Sequence, residues 1–175
     1  MRVMFQDEAR FGRINDPRRC WAPLDFRPVV GRQVVRESTY AFAAVSPIDG
    51  MMDSLILPVT NAKAMNYFLE EVSNRHPNDA IIMCMDGAGW HRAKALIVPE
   101  NMRLIFLPPY SPELNPVENL WDELREKFFN NHVFKSLDAV VDRLEIGLFN
   151  LEHQQTNVQS ITGFPWIVSV LKIAT

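Results

Sequence analysis

Cysteine is nearly absent. The 175 residues hold two, Cys20 and Cys84, far apart and without metal-ligand spacing. That speaks against a disulfide framework and a zinc site, and fits a reducing, cytoplasmic compartment. Long apolar runs are missing as well, and none reaches the roughly 20 residues that a membrane-spanning helix needs. The opening MRVMFQDEARFG has no signal-peptide pattern and passes straight into strand-like alternation. Internal repeats and low-complexity linkers are lacking too. Lysine is missing from residues 1–36, which hold eight arginines against Asp7, Glu8, Asp16 and Asp25, a net +4. The remainder holds 10 basic and 17 acidic residues, so the whole chain carries −3. A negative total is unpromising for a protein that grips a polyanion unaided.

What is present suits one compact domain, with 47% of residues hydrophobic. RVMFQD (2–7) reads as a strand, and residues 18–35 as one or two more, interrupted by prolines. TYAFAAVS (39–46) and MMDSLILPV (51–59) flank the turn signal Pro47-Ile48-Asp49-Gly50 and read as a hairpin. Residues 61–75 are amphipathic, with Ala64, Tyr67, Phe68 and Val72 in helical register. AIIMCMD (80–86) is the unbroken apolar run of a strand buried on both faces. Next come a short helix at 92–97 and a short strand, RLIFLP (103–108). Helices then run from Pro116 to about Asn130 and from Ser136 onward. A meander succeeded by alternating helix and strand implies a mixed α/β fold around one sheet.

Two of these strands end in aspartate, at Asp7 and Asp86. Ligands gather at the carboxyl ends of strands in open α/β sheets. If the two strands are parallel neighbours, the carboxylates meet, repel and raise one pKa unless a hard divalent cation sits between them. Each could equally end its strand and cap the adjoining turn. In LPPYSPELNPVENLW (107–121), Asn115 falls at the N-cap of a helix, Pro116 at N1 and Glu118 at N3, the capping-box position. Glu118 is thus a cap by local chemistry, and also a third carboxylate able to reach the same sheet edge. Three such groups are what a two-metal phosphoryl-transfer site requires, with cations about 4 Å apart.

Three segments carry a specific resemblance: FQDEARFG (5–12), MDGAGWHRA (85–93) and LPPYSPELNPVENLW (107–121). The chain resembles the catalytic domain of DDE superfamily transposases, in the bacterial insertion-sequence branch of the mariner superfamily. The likeness covers about residues 2–150, with GFPWI (163–167) as a further candidate segment. It implies an RNase H-like (retroviral-integrase-like) α/β fold with a central mixed five-stranded sheet flanked by helices. It also implies a catalytic and metal-binding triad of Asp7, Asp86 and Glu118, with 31 residues between the last two. Two Mg²⁺ or Mn²⁺ ions and DNA, both transposon ends and target, are the expected cofactors and partners. The expected domain spans 1–153, with a tail at 154–175. Relatives carry a helix-turn-helix module before the first catalytic strand. This chain starts at that strand, so a separate DNA-binding half or domain is expected beside a homodimer, in a nucleoid-associated setting. Asp86 is followed by Gly87 where many relatives have asparagine. Two other readings are an RNase H-like nuclease that only hydrolyses, and a non-catalytic remnant that binds DNA or serves assembly.

Arg10, Arg13, Arg18 and Arg19 surround an expected turn tip at Asn15-Asp16-Pro17, and suit either phosphate contacts or a solvated loop. His91 suits positioning of a phosphate or a loop hydrogen bond. Alternation points Glu8 to the face opposite Asp7, toward a structural role. Trp90 and Trp121 read as core residues before stacking platforms. Tyr110 and Ser111 shape the turn that delivers Glu118. Asp122 reads as a solvated helix-face carboxylate or an accessory ligand.

Overall fold

The computed structural model describes all residues except 16, 92, 94, 174 and 175. The strands are β1 (Arg2–Ile14), β2 (Val34–Val45), β3 (Met52–Leu57), β4 (Ile81–Met85) and β5 (Met102–Phe106). They form one sheet in the order β3-β2-β1-β4-β5. The β1/β2 and β2/β3 pairs are antiparallel, while β1/β4 and β4/β5 are parallel. The expected mixed five-stranded sheet is therefore formed.

Alternation along the central strand divides the core in two. Phe5, Ala9 and Phe11 of β1 face one side, where they join Trp121, Leu144 and Leu148. Met4 faces the other, with Phe42, Phe68 and Met83. The second side is covered by α1 (Ala62–Arg75), whose Asn61 cap accepts from the Ala64 N–H. The first side is covered by α2 (Val117–Leu124), α3 (Leu137–Glu152), α4 (Gln155–Thr162) and α5 (Pro165–Ile173). Ser136 caps α3 through the Ala139 N–H, as its sequence position implies. After α2 the helix continues through one wide π turn, Arg125–Phe129.

Residues 154–175, expected as a tail, carry α4 and α5, and Val158 and Ile167 are buried in the same core as Trp121. The β2–β3 turn meets them at Gly50. Its φ of +71° suits glycine, and a Cβ there would collide with the Gln155 carbonyl.

Three expectations need correction. First, β1 does not stop at Asp7 but runs on to Ile14, because β2 pairs with it as far as Val34. Second, residues 17–33 form no strand. Pro17, Pro23 and Pro28 remove ladder donors, and Trp21, Leu24 and Val29 are exposed. The excursion is closed at its base by Asn15, whose Oδ1 accepts from the Gln33 N–H at 2.7 Å and whose Nδ2 donates to the Gly31 carbonyl at 2.6 Å. Asp16, in the expected turn tip, lies outside the described residues. Third, residues 93 and 95–97 form turns and irregular backbone rather than a helix, and positions 92 and 94 of that expected helix lie outside the described residues.

Candidate active site

The parallel register of β1 and β4 ends at Phe5↔Cys84. Continued two residues further it sets Asp7 beside Asp86, on the same face of the sheet as Phe5 and Cys84. Asp86 is the first residue past β4, whereas Asp7 lies mid-strand in β1. The expected meeting of the two at the end of parallel strands thus arises from β4 ending, not β1.

The third carboxylate is delivered by the start of α2. Asn115 has extended backbone (φ −101°, ψ 104°) and its Oδ1 accepts from the Val117 N–H at 3.2 Å, so it caps the helix. Its Nδ2 donates to the buried Gln6 carbonyl at 2.9 Å. One side chain therefore both caps α2 and fastens its start to β1, one residue from Asp7. The expected capping box is not made: the Asn115 N–H donates to Pro112 O instead, and no described residue hydrogen-bonds the Glu118 carboxylate. Glu118 is exposed and left to the pocket.

Asp7, Asp86 and Glu118 all line one cavity of about 470 Å³, walled by the Leu107–Pro112 loop. Tyr110 of that loop adopts φ +58° and is fully exposed, which fits its expected part in the turn. The electrostatic strain collects on Asp7. Burial pushes its carboxyl from 3.8 up to about 7, with the Glu118 and Glu8 charges adding to the effect and a hydrogen bond from Trp121 opposing it. Glu118 is also raised, first by partial burial and then by Asp122 and Asp86, with Arg125 pulling the other way. All the donors are carboxylate oxygens, the set a hard divalent cation takes, and a cation would offset both the burial and the neighbouring charges that raise Asp7. Among the described residues, no three His, Cys, Asp or Glu side chains already stand close enough together to hold a metal, so the three carboxylates, which share one cavity, would have to draw together around a cation.

Three contacts escape sequence reasoning. Trp121, only 1% exposed, donates from Nε1 to Asp7 Oδ2 at 2.8 Å; its burial removes it as a stacking platform. On the opposite face, Glu8 accepts from Trp90 Nε1 at 3.2 Å and lies 2.8 Å from His91 Nε2. Glu8 does point away from Asp7. His91 is 1% exposed, so its ring is not on a surface that DNA could reach. Burial lowers its pKa, but the Glu8 hydrogen bond and charge, then Asp86, outweigh this and raise it above 6.5.

The expected DNA-contacting arginines divide. Arg13 is committed to Glu37 and the Phe134 carbonyl, and Arg18 to Glu126. Arg10 and Arg19 are exposed, and no described residue pairs with either. Asp122 is solvated, with Arg125 at 3.8 Å, and lies outside the cavity lining.

Comparisons with known proteins bear on the family and the fold. Residues 2–141 match the family described as DDE superfamily endonuclease. An uncharacterized protein, y4pE/y4sA of Sinorhizobium fredii (strain NBRC 101917 / NGR234), is 38% identical over 128 residues, 73% of this chain and 95% of that protein. The fold matches the Mos1 transposase paired-end complex with left transposon end at TM-score 0.60 and 17% identity, covering 93% of this chain. It matches the catalytic domain of Mos1 mariner transposase at TM-score 0.53 and 16% identity, covering 93% of this chain and 82% of that one. The chain spans 56% of the transposase chain in the paired-end complex. The fold is RNase H-like, and the chain belongs to the DDE superfamily of endonucleases.

Proposed function

We propose that this chain is the catalytic unit of a DNA transposase. One observation carries the reading: carboxylates from β1, the end of β4 and the start of α2 line a single cavity. Asp7, Asp86 and Glu118 would hold two divalent cations, Mg²⁺ or Mn²⁺. When bound, such ions supply Lewis-acid activation of an attacking oxygen and stabilisation of the leaving oxygen in an in-line phosphodiester displacement. The chain's own groups prepare the site. Trp121 donates to Oδ2 of Asp7 and restrains that oxygen, and Asn115 ties the start of the Glu118 helix to β1. Asp7 must lose its proton to act as a ligand, so with its carboxyl raised to about 7 in the metal-free chain, cation binding should weaken as pH falls below that value. The substrates are transposon-end DNA, with water and then a DNA 3′-OH as successive nucleophiles.

The assay is incubation of the chain with radiolabelled end-sequence DNA and Mg²⁺ or Mn²⁺. Cleaved ends together with strand-joined products are expected, and chelation abolishes both. Cleavage without joining would establish the hydrolytic nuclease instead. No reaction with a pre-nicked substrate, together with undiminished DNA binding, would favour a non-catalytic remnant.

Affinity for DNA is a separate matter. Phosphate contacts position and base contacts specify, and only Arg10 and Arg19 of the first segment's four candidate arginines stand clear of acidic partners among the described residues. The isolated chain should bind duplex DNA with Kd of roughly 10⁻⁴–10⁻⁶ M, falling steeply with salt. Replacing Arg10 and Arg19 by Ala should weaken end-sequence and scrambled duplexes alike and flatten the salt slope. A strong preference for the end sequence would show that this unit reads bases itself and needs no separate DNA-binding half.

A further inference from the structure

The face of β1 opposite the cavity carries a polar cluster that the chemistry above leaves unused. The His91 side chain is fully buried, and the Glu8 side chain is 6% exposed. His91 Nε2 lies 2.8 Å from Glu8 Oε1, and Trp90 Nε1 donates to the same oxygen at 3.2 Å. On its other side, His91 Nδ1 lies 2.7 Å from Asp86 Oδ1 and 3.1 Å from the Asp86 carbonyl. A carbonyl only accepts, so the Nδ1 side of the ring donates to Asp86.

Asp86 needs such a tether. It sits past the last paired residue of β4, and its side chain is 56% exposed. A solvated aspartate at a strand end samples several rotamers. Here Oδ1 accepts from the Ala88 N–H at 2.9 Å and lies 2.7 Å from His91 Nδ1, whose hydrogen bond goes to the carbonyl of the same aspartate. That leaves Oδ2 as the oxygen available to the cavity. We infer that His91 is a positioning residue: through Nδ1 it holds Asp86, by the hydrogen bond to its carbonyl and the 2.7 Å contact to Oδ1, while Glu8, braced by Trp90, fixes the ring through Nε2. A chain of contacts thus runs from the far face of β1 to the carboxylate at the end of β4. This rests on the reading of Asp86 as a cation ligand; residues that orient ligands from behind commonly matter almost as much as the ligands.

Asparagine and glutamine separate the two ends of the ring. The amide of asparagine falls near the Nδ1 position and can still donate to Asp86, whereas that of glutamine reaches toward Nε2 and Glu8. Mn²⁺ binding by the whole chain, measured by calorimetry, should weaken about 10–100-fold in His91→Gln and be largely retained in His91→Asn, with both variants folded by circular dichroism. Equal losses in the two variants would mean that the ring acts through general folding, and would overturn the inference. Asp86→Ala is the control for the underlying reading: if it leaves Mn²⁺ binding untouched, Asp86 is not a ligand. Nitrogen-15 spectra of the metal-free protein decide the tether independently of any cation. The Nδ1–H group of His91 should be protected from exchange, and Asp86→Ala, which keeps the carbonyl but removes the carboxylate 2.7 Å away, should shift the Nδ1 resonance more than the Nε2 resonance. A ring that lacks its Nδ1 proton, or is indifferent to Asp86→Ala, would sink the proposal whatever the metal data show.

Discussion

Asp7→Asn should make the metal-free protein more stable at pH 8 and remove its cation-dependent activity. Moving a buried carboxyl from 3.8 to about 7 corresponds to about 4 kcal/mol against the ionised form. Asparagine keeps an oxygen that can accept from Trp121 Nε1, so the substitution removes charge without orphaning the donor. The folded state binds the Asp7 proton more tightly than the unfolded state does. Wild-type stability from this group therefore falls as pH rises from about 4 to about 7 and stays low above that. The gap between Asp7→Asn and wild type should thus be widest at pH 8 and close toward pH 4. Added Mg²⁺ should raise the melting temperature of wild type through linkage to the folded state, and should do little for the variant. Urea unfolding of both proteins at pH 5 and pH 8, with and without Mg²⁺, checks every part. A variant less stable than wild type at both pH values would mean that Asp7 serves mainly as Trp121's hydrogen-bond partner.

That Asp7 bears the strain was half legible in the sequence. Two aspartates ending apolar runs announce a carboxylate pair, but not which one is more deeply set. The answer depends on strand length: β4 stops at Met85, so Asp86 is exposed, while β1 continues and keeps Asp7 under Trp121. The extension of β1 to Ile14 was hidden because Arg10, Gly12 and Arg13 interrupt the apolar pattern; pairing with β2, a tertiary effect, carries the strand through. The opposite error arose at residues 18–35. Valines and Trp21 make a strand-like composition, yet Pro23, Pro28 and the lack of a described neighbour to pair with leave most of that stretch irregular and its apolar side chains in solvent. Helix starts were legible because capping is local chemistry, and Asn61, Asn115 and Ser136 all accept from backbone N–H groups as their positions imply. The Trp121–Asp7 and Glu8–His91–Asp86 contacts join residues as much as 114 positions apart. No periodicity reports such pairs. Period-2 alternation offers only the hint that Glu8 faces away from Asp7.

Glu118→Gln should abolish catalysis at almost no cost in stability. Its position at N3 suggests a capping box, in which glutamate would reach back to the Asn115 N–H. That N–H is instead donated to Pro112 O, inside the short 3₁₀ turn Pro112–Leu114. The capping work falls to Asn115, which also anchors α2 to β1 through Gln6 O. Glutamine at 118 therefore breaks no described hydrogen bond, and surface changes of this kind usually stay within about 0.5 kcal/mol. Removing the charge also relieves Asp7, whose pKa Glu118 helps to raise. The acid limb of any remaining metal-binding profile should move to lower pH. Cleavage of a pre-nicked end substrate should nevertheless fall by orders of magnitude, since a cation ligand has been exchanged for a neutral amide. The decisive contrast is with Asn115→Ala, which leaves all three carboxylates in place but removes the cap, at a cost of about 0.5–2 kcal/mol, together with the tie to Gln6. It should lower stability and weaken activity through misplacement of Glu118. If Glu118→Gln proved as destabilising as Asn115→Ala, or left cleavage intact, the glutamate would be serving the helix rather than the reaction.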